Sequence, residues 1–377
     1  RSYKIRIYPT KAQESQMWQH IGSCRYIWNY MLSVQEQRYA DNESHLSAYE
    51  MINLLKPLKN DGEHDWLYDV SNTSLQIICR DLDKAYKSLF KGISRAPKFK
   101  SRRHSKAKFP IRTTFYLKDD KILCIEKLGK VRYKTDFDLP KGKGAAKYTN
   151  PRIENANGKW ILSFGMESES QTQELTDKTM GIDLGVKDLA IAEFDGQQLT
   201  FHNINKSKTI RTLKHKQKHL QRAISRKYEA NRIGKRFVKT KNIEKCEARL
   251  RRIYARLTNT RQNYIHQTTH TLVEYLPKRI VMEDLNVQGM MKNKHLSKAI
   301  QEQCFHEFIR QIAYKSEDRG IEFIQADRFY PSSKTCSHCG SVKTDLKLKD
   351  RTYVCEECGL VIDRDYNAAV NLSKYVA

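Results

Sequence analysis

The sequence predicts a multidomain, mixed α/β protein, and three observations carry that expectation. After residue 179, apolar runs of strand length alternate with amphipathic helical stretches. The segment from about residue 11 to 92 is helical throughout. Two Cys-x-x-Cys pairs near the C-terminus form a small module of their own. A chain of 377 residues is long enough for two or three domains with a well-buried core, and it has no need of disulfides for stability.

The elements follow in order. RSYKIRIYPTKAQ places Tyr3, Ile5 and Ile7 on one face and reads as a strand stopped by Pro9. Thr10 and Gln13 then make a capping box that starts a helix. WQHIGSCRYIWNYML and SNTSLQIICRDLDKAYKSLF repeat apolar residues every three or four positions, the second through Leu75, Ile78, Cys79, Leu82, Tyr86 and Leu89. The run SRAPKFKSRRHSKAKFP (94–110) interleaves seven Lys/Arg, including Lys98, Lys100, Arg102 and Arg103, with Phe99 and Phe109. That mixture suits a phosphate-rich or single-stranded partner, with a solvated linker as the alternative. Strand patterns follow, with Asn157-Gly158 as a type I′ hairpin signal, and the N-terminal strand is expected to join them in one small β-barrel with the helical module inserted.

From residue 179, TMGIDLGVKDLAIAEFDGQQLTFHN holds three strands, the second and third joined at Asp195-Gly196. Two basic helices broken at Gly234, a strand PKRIVMEDLNV, a single helix AIQEQCFHEFIRQIAYKSEDRG closed by Gly320, and a strand IEFIQADRF come next.

The formal net charge of +26, from 69 Lys+Arg against 43 Asp+Glu, points to a polyanion spread over much of the surface. No apolar run has the length of a membrane span, and no segment resembles a signal peptide. The chain begins at Arg1 and not at Met, which leaves its natural start open. Five of the nine cysteines, Cys24, Cys79, Cys124, Cys246 and Cys304, are solitary within periodic segments, as buried thiols of a reducing compartment would be.

The remaining four, Cys336, Cys339, Cys355 and Cys358, form two knuckles separated by fifteen residues. Four soft ligands on facing knuckles suit a tetrahedral, structural zinc ion with no open coordination position; a redox pair or an iron site are the alternatives. Gly340 and Gly359 follow the second Cys of each knuckle, where a tight turn calls for positive φ. A second constellation is acidic: Asp183 ends one strand, Glu283 ends another, and Asp363 and Asp365 follow the second knuckle. Clustered carboxylates repel one another unless cations join them, so the cluster predicts hard divalent ions, Mg²⁺ foremost. Two such ions about 3.5–4 Å apart activate water and stabilise the leaving oxygen of a phosphodiester. Asp188 and Asp284 are left out because they face the other side of their strands or a turn. His266 and His270 have metal-pair spacing but lack a third ligand, and for Arg328 and Lys334 nucleic-acid contact and plain surface charge are equal readings.

GIDLGVKDLA, IVMEDLNV, RFYPSSKTCSHCG and CGLVIDRDYNAAVNL, with YKIRIYPTKAQ and VSNTSLQIICRDLDKAYKSLF ahead of them, together resemble the TnpB family of transposon-encoded, RNA-guided DNA endonucleases, over nearly the whole chain. The resemblance implies an RNase H-like RuvC nuclease domain (179–335 and 359–377) with an inserted zinc ribbon (336–358). Ahead of it come a wedge β-barrel (1–10 and 93–178) and a helical recognition module (11–92). It further implies a catalytic, Mg²⁺-binding triad of Asp183, Glu283 and Asp365, and zinc ligands Cys336, Cys339, Cys355 and Cys358. A guide RNA derived from the transposon end would select double-stranded DNA beside a short target-adjacent motif, in a monomeric ribonucleoprotein of the prokaryotic cytoplasm. Asn72, Thr73 and Gln76, on one helical turn, are candidates for reading that motif. Asp363 then falls to a helix-capping role two residues before Asp365. A nuclease-inactive RNA-guided regulator and a guide-independent transposition accessory protein are the competing functions.

Overall fold

A computed structural model, which describes residues 1–167, 173–347 and 350–376, divides the chain into two units, Arg1–Ser168 and Glu169–Ala377. The first begins with β1 (Ser2–Tyr8), whose Ile5 and Ile7 are each 2% exposed, as the alternation predicts. Thr10 and Gln13 form the expected capping box on α1 (Lys11–Ala40). The helical module is completed by α2 (Ala48–Asn53), α3 (Leu55–Lys59) and α4 (Asn72–Phe90), which buries the stripe Leu75, Ile78, Cys79 and Leu82.

Six more strands follow: β2 (Lys108–Pro110), β3 (Tyr116–Leu117), β4 (Ile122–Ile125), β5 (Gly129–Lys134), β6 (Tyr148–Ala156) and β7 (Lys159–Met166). With β1 they make an antiparallel sheet in the order β2-β6-β7-β1-β5-β4-β3. The N-terminal strand therefore does join the later ones, between β5 and β7. Two side-chain ties hold helices to this sheet. Gln13 Nε2 donates to the carbonyls of Leu128 and Lys130 at 2.9 and 2.8 Å, and Arg152 on β6 grips Asp81 on α4 through both terminal nitrogens at 2.8 and 2.9 Å. The β6–β7 turn has φ of 55° at Asn157 and 79° at Gly158, the type I′ geometry expected.

The second unit opens with β8 (Thr179–Leu184), β9 (Asp188–Phe194) and β10 (Gln197–His202), an antiparallel meander. Then come α5 (Lys208–Ala230), the short hairpin β11 (Arg232–Ile233) and β12 (Arg236–Phe237) around Gly234, and α6 (Lys241–Glu274). Next are β13 (Arg279–Glu283), α7 (Val287–Met291), α8 (Ser297–Gln303), α9 (Phe305–Arg319) and β14 (Glu322–Ala326). The chain ends in β15 (Thr352–Val354), β16 (Val361–Asp363) and α10 (Arg364–Ser373). The main sheet has the order β10-β9-β8-β13-β14, with β13 parallel to both β8 and β14.

Strand alternation gives this sheet two different faces. Met180, Ile182, Ala190, Ala192, Ile280 and Met282 share a core with Leu272 and Val273 of α6 and Phe308 and Ile312 of α9. Val281 and Ala326, on the opposite face, pack with Leu372 of α10. Gly181 lies under that helix: a Cβ there would sit 2.0 Å from the Ala369 carbonyl oxygen, so only glycine lets α10 come this close.

One helix expectation fails. The stretch from Ala299 is not continuous, because Cys304 adopts φ of 56° and separates α8 from α9. The break lets Gln303 Nε2 donate to the Gly185 carbonyl at 2.9 Å while Glu302 pairs with Lys214 at 2.6 Å and Arg261 at 3.4 Å. Long-range polar partners at the joint outweigh the local helical pattern.

Candidate active site and zinc ribbon

The acids are brought together by register. Met282 lies beside Ile182, so Glu283 at the end of β13 falls alongside Asp183 on β8, both on the face that α10 covers. β16 leads directly into α10, whose N-cap is Asp363: its carboxylate accepts the backbone N–H groups of Asp365 and Tyr366 at 2.9 and 3.2 Å. Asp365 stands in the first turn of that helix. Asp183, Glu283 and Asp365 are all half-buried.

Their electrostatics are those of a crowded acid site. Burial, then the neighbouring carboxylates of Glu283 and Asp365, hold Asp183 well above the usual carboxylate range. Burial also raises Glu283, against a hydrogen bond from the Ser332 hydroxyl that works the other way. Asp365 is raised by burial and by Asp363, offset in part by Arg351, whose guanidinium is 3.8 Å away. The set therefore suits divalent cations on chemical grounds: three oxygen-bearing groups whose charges only a cation reconciles. The acids excluded from the set are engaged elsewhere, Asp188 with His202 at 2.8 Å and Asp284 with Arg328 at 2.9 Å. His270 faces Glu274 at 3.4 Å, and His266 accepts through its carbonyl from Lys315 at 2.8 Å, so they do not form a metal pair.

The four cysteines of the ribbon have ligand atoms all within 4.8 Å of one another, with Sγ–Sγ separations of 3.6 Å (Cys336–Cys358) and 3.5 Å (Cys339–Cys355). Zn–S bonds of about 2.3 Å in a tetrahedron require edges of about 3.8 Å, so the cluster fits zinc. Among the described residues it is the one His/Cys/Asp/Glu group drawn this tight; the carboxylates keep a wider spacing. The knuckles repeat one backbone pattern. Gly340 N–H donates to the Cys336 carbonyl at 2.9 Å and Gly359 N–H to that of Cys355 at 3.1 Å, with φ of 79° and 72° as expected. Hydrogen bonds from the Ser341 hydroxyl and from the Cys358 and Glu357 N–H groups bring the Cys355 thiol down to about 6, toward the thiolate a metal takes.

Residues that sequence reasoning missed join the ribbon to the acids. Asn367, fully buried on α10, accepts from the Ser337 N–H at 3.0 Å and donates to the Thr335 carbonyl at 2.7 Å. Asn371, one turn later, donates to the carbonyls of Ser332 and Thr335, each at 2.7 Å. The first knuckle is thus bolted to the helix that carries Asp365, and Ser332, just ahead of that knuckle, holds Glu283. The available signal was two asparagines spaced i, i+4 in an otherwise apolar helix face, NAAVN.

Nucleic-acid candidates in the first unit fare unevenly. Arg102, Arg103 and Lys98 are exposed, as is Phe99. Lys100 is not free for a phosphate: its ammonium sits 3.1 Å from the Trp28 ring centroid, and burial lowers its pKa to about 8. Its backbone is clasped by Asn29 at 2.7 and 2.9 Å. Phe109 offers no stacking surface: it is 1% exposed in the core, because β2 turns it inward opposite Ile153. Asn72 is exposed at the start of α4 and accepts from Lys59 Nζ at 2.8 Å; Thr73 and Gln76 are half-buried.

Comparison with known proteins finds similarity along the whole chain. The chain matches the family described as "Probable transposase" over residues 163–294, the "Cas12f1-like, TNB domain" over 305–372 and a "Helix-turn-helix domain" over 1–44, a stretch that folds here as β1 and α1. It is 28% identical over 373 residues to a Streptomyces pristinaespiralis protein named "Putative RNA-guided DNA endonuclease", covering 99% of this chain and 88% of that one. It is 25% identical over 404 residues to the TnpB-like protein L770 of Acanthamoeba polyphaga mimivirus, covering 99% and 72%. A solved Cas12f1–sgRNA–target DNA complex aligns at 15% identity and a TM-score of 0.39, over 99% of this chain and 98% of that one, too distant to argue from. Over nearly its whole length the chain is thus similar to proteins named as RNA-guided DNA endonucleases and as TnpB-like.

Proposed function

We propose that this protein is an RNA-guided, Mg²⁺-dependent endonuclease of double-stranded DNA, with Asp183, Glu283 and Asp365 as its catalytic acids. The observation that carries the reading is the convergence of three half-buried carboxylates from β8, β13 and α10 on one sheet face, with Asp183 held well above its ordinary pKa by burial and then by the other two. The family's relatives supply the guided-cleavage context. The strand order, three antiparallel strands extended by two parallel ones, supports an RNase H-like RuvC domain. The seven-stranded sheet with its inserted helices supports the wedge and recognition modules. No helix among the described residues is long and apolar enough to cross a membrane, in keeping with a ribonucleoprotein of the cytoplasm.

Each residue then has a definable task. Divalent ions, when bound, polarise the scissile phosphate and lower the pKa of the attacking water. Asp183, on the rigid strand β8, fixes the centre of the site. Glu283 is oriented by the Ser332 hydroxyl. Asp365 is delivered by α10, whose start is fixed by the Asp363 cap and by the Asn367 and Asn371 ties. Cys336, Cys339, Cys355 and Cys358 would hold the zinc ion, which would stabilise the ribbon to which those asparagines attach.

Intact acids at all three positions disfavour the nuclease-inactive regulator. Incubating purified protein with Mg²⁺ and a plasmid carrying matched target and flanking motif, with and without guide RNA, separates the readings. Guide-dependent linearisation supports the proposal. Guide-independent cutting supports the accessory reading, and binding without cutting supports the regulator.

A further inference from the structure

Among the described residues, the exposed cysteines are Cys339 and Cys358, and both belong to the ribbon. The solitary thiols offer an oxidant little. Cys24, Cys79 and Cys246 are buried, Cys124 and Cys304 are half-buried, and burial pushes Cys24 and Cys79 up to about 12. Each exposed cysteine is the second of its knuckle. A Cβ on the glycine that follows it, Gly340 or Gly359, would meet nothing within 4 Å, so space is open beside each one. Each also faces a buried partner across the cluster: Cys358 Sγ lies 3.6 Å from Cys336 Sγ, and Cys339 Sγ lies 3.5 Å from Cys355 Sγ. An accessible sulphur with a second one in reach is the arrangement in which a first oxidation is resolved as a disulfide.

The first of these pairs is attached to the acid-bearing helix at both ends. Cys336 stands between the two backbone groups that Asn367 holds, the Thr335 carbonyl at 2.7 Å and the Ser337 N–H at 3.0 Å. Cys358 runs through Gly359 into β16, whose last residue, Asp363, caps α10. Asp365 lies between those two attachments, in the first turn of α10. Disulfide sulphurs are about 2.05 Å apart, so closing Cys336 onto Cys358 draws the two attachments together by about 1.5 Å. Zinc takes thiolates as ligands, and their conversion to disulfides removes its hold on the ribbon.

Resting on the nuclease reading, we infer that the ribbon is an oxidant-sensitive switch of that activity: oxidation of its four thiolates to the cross-knuckle disulfides Cys336–Cys358 and Cys339–Cys355 releases zinc and shifts the start of α10, taking Asp365 out of the acid set. The oxidant is a two-electron peroxide such as hydrogen peroxide. In each pair the exposed thiolate attacks one peroxide oxygen, the O–O bond breaks and hydroxide leaves, giving a sulfenic acid. The buried thiolate then attacks that sulphur, the S–S bond forms and a second hydroxide leaves. Two peroxides thus take four electrons from four thiolates and yield two disulfides and four hydroxides. A dithiol followed by zinc reverses the change.

Treating the zinc-loaded, guide-loaded protein with hydrogen peroxide, then catalase, tests this beside an untreated control. Zinc release, followed with a chromogenic chelator, should reach one equivalent as four thiols disappear, and non-reducing peptide mapping should find Cys336–Cys358 and Cys339–Cys355. Hydrogen exchange should show the Asp365 and Tyr366 N–H groups, held by the Asp363 carboxylate, losing protection. Guided cleavage should fall roughly a hundredfold, the cost of misplacing a reacting group by about 1 Å, and a dithiol with added zinc should restore it. Cys124→Ser/Cys304→Ser should respond as wild type does. Zinc that stays bound, disulfides formed within a knuckle, unchanged protection in α10 after zinc release, or a response lost in Cys124→Ser/Cys304→Ser overturns the inference. If wild type cuts under no guide, the nuclease reading falls while zinc release, mapping and exchange still judge the switch. If wild type cuts and the oxidised, zinc-free protein cuts equally fast, the switch alone falls.

Discussion

The zinc ribbon and the acid site meet where the second knuckle runs into Asp363 and Asp365, yet they handle like charges in opposite ways. The ribbon gathers four cysteines within 4.8 Å, supports Cys355 as a thiolate, and closes on itself through two matching knuckles. The acid site leaves its carboxylates wider apart and raises all three pKa values, on three elements that meet only in the tertiary fold. A saturated tetrahedron suits an ion that stays, and a looser oxygen set leaves coordination positions for water and phosphate. Asn367 and Asn371 couple the two, which makes the ribbon a brace for the helix that carries Asp365.

The sharpest break of that contrast is removal of the acids' charge. Asp183→Asn should bring guided cleavage to background while leaving the ribbon's zinc content unchanged, as plasmid assay and metal analysis would show. The same variant carries a pH signature. Asp183 has a folded-state pKa above its unfolded value, so the folded form binds more protons. The metal-free protein should therefore lose stability as pH rises from the unfolded carboxylate pKa through the raised folded one. Mg²⁺ should restore that loss, and metal-free Asp183→Asn should melt higher than metal-free wild type at neutral pH.

Removing zinc should act next most strongly. Chelation or Cys355→Ser should unfold the ribbon outright, since ion binding and folding of such modules are one process. Cleavage should fall with it, while strand-pairing signals from the first unit persist in hydrogen exchange. Asn367→Ala should be milder. It strands the half-buried Ser337 N–H and removes one of the two side-chain donors to the Thr335 carbonyl, costs about 1–3 kcal/mol, and should lower kcat with zinc still bound. Smallest are the surface cations: Arg102→Ala and Arg103→Ala should each reduce the salt slope of nucleic-acid binding by about one. Lys100→Met, which keeps packing on Trp28, should leave that slope unchanged.

Much of this was legible in the sequence where the signal is local. The capping box at Thr10, the turns at Asn157-Gly158 and Asp195-Gly196, the paired knuckles and the Asp363 cap all depend on residues within four positions of one another. What escaped depends on partners far away in the chain. Phe109 looked like stacking surface until β2 paired with β6. Lys100 looked like a phosphate contact until Trp28, 72 positions earlier, took its ammonium. The Ser332–Glu283 contact and the asparagine ties join segments 30 or more residues apart, and no local pattern encodes them.

The division of labour between the two aspartates that follow the ribbon is the account's central claim. Guided plasmid cleavage and thermal melts of Asp363→Ala and Asp365→Ala, run side by side with wild type, test it most directly. Asp365→Ala should be inactive with a melting temperature at or above that of wild type. Asp363→Ala should keep cleaving while losing about 0.5–2 kcal/mol of stability. An active Asp365→Ala, or an Asp363→Ala that is fully stable yet inactive, would contradict the account.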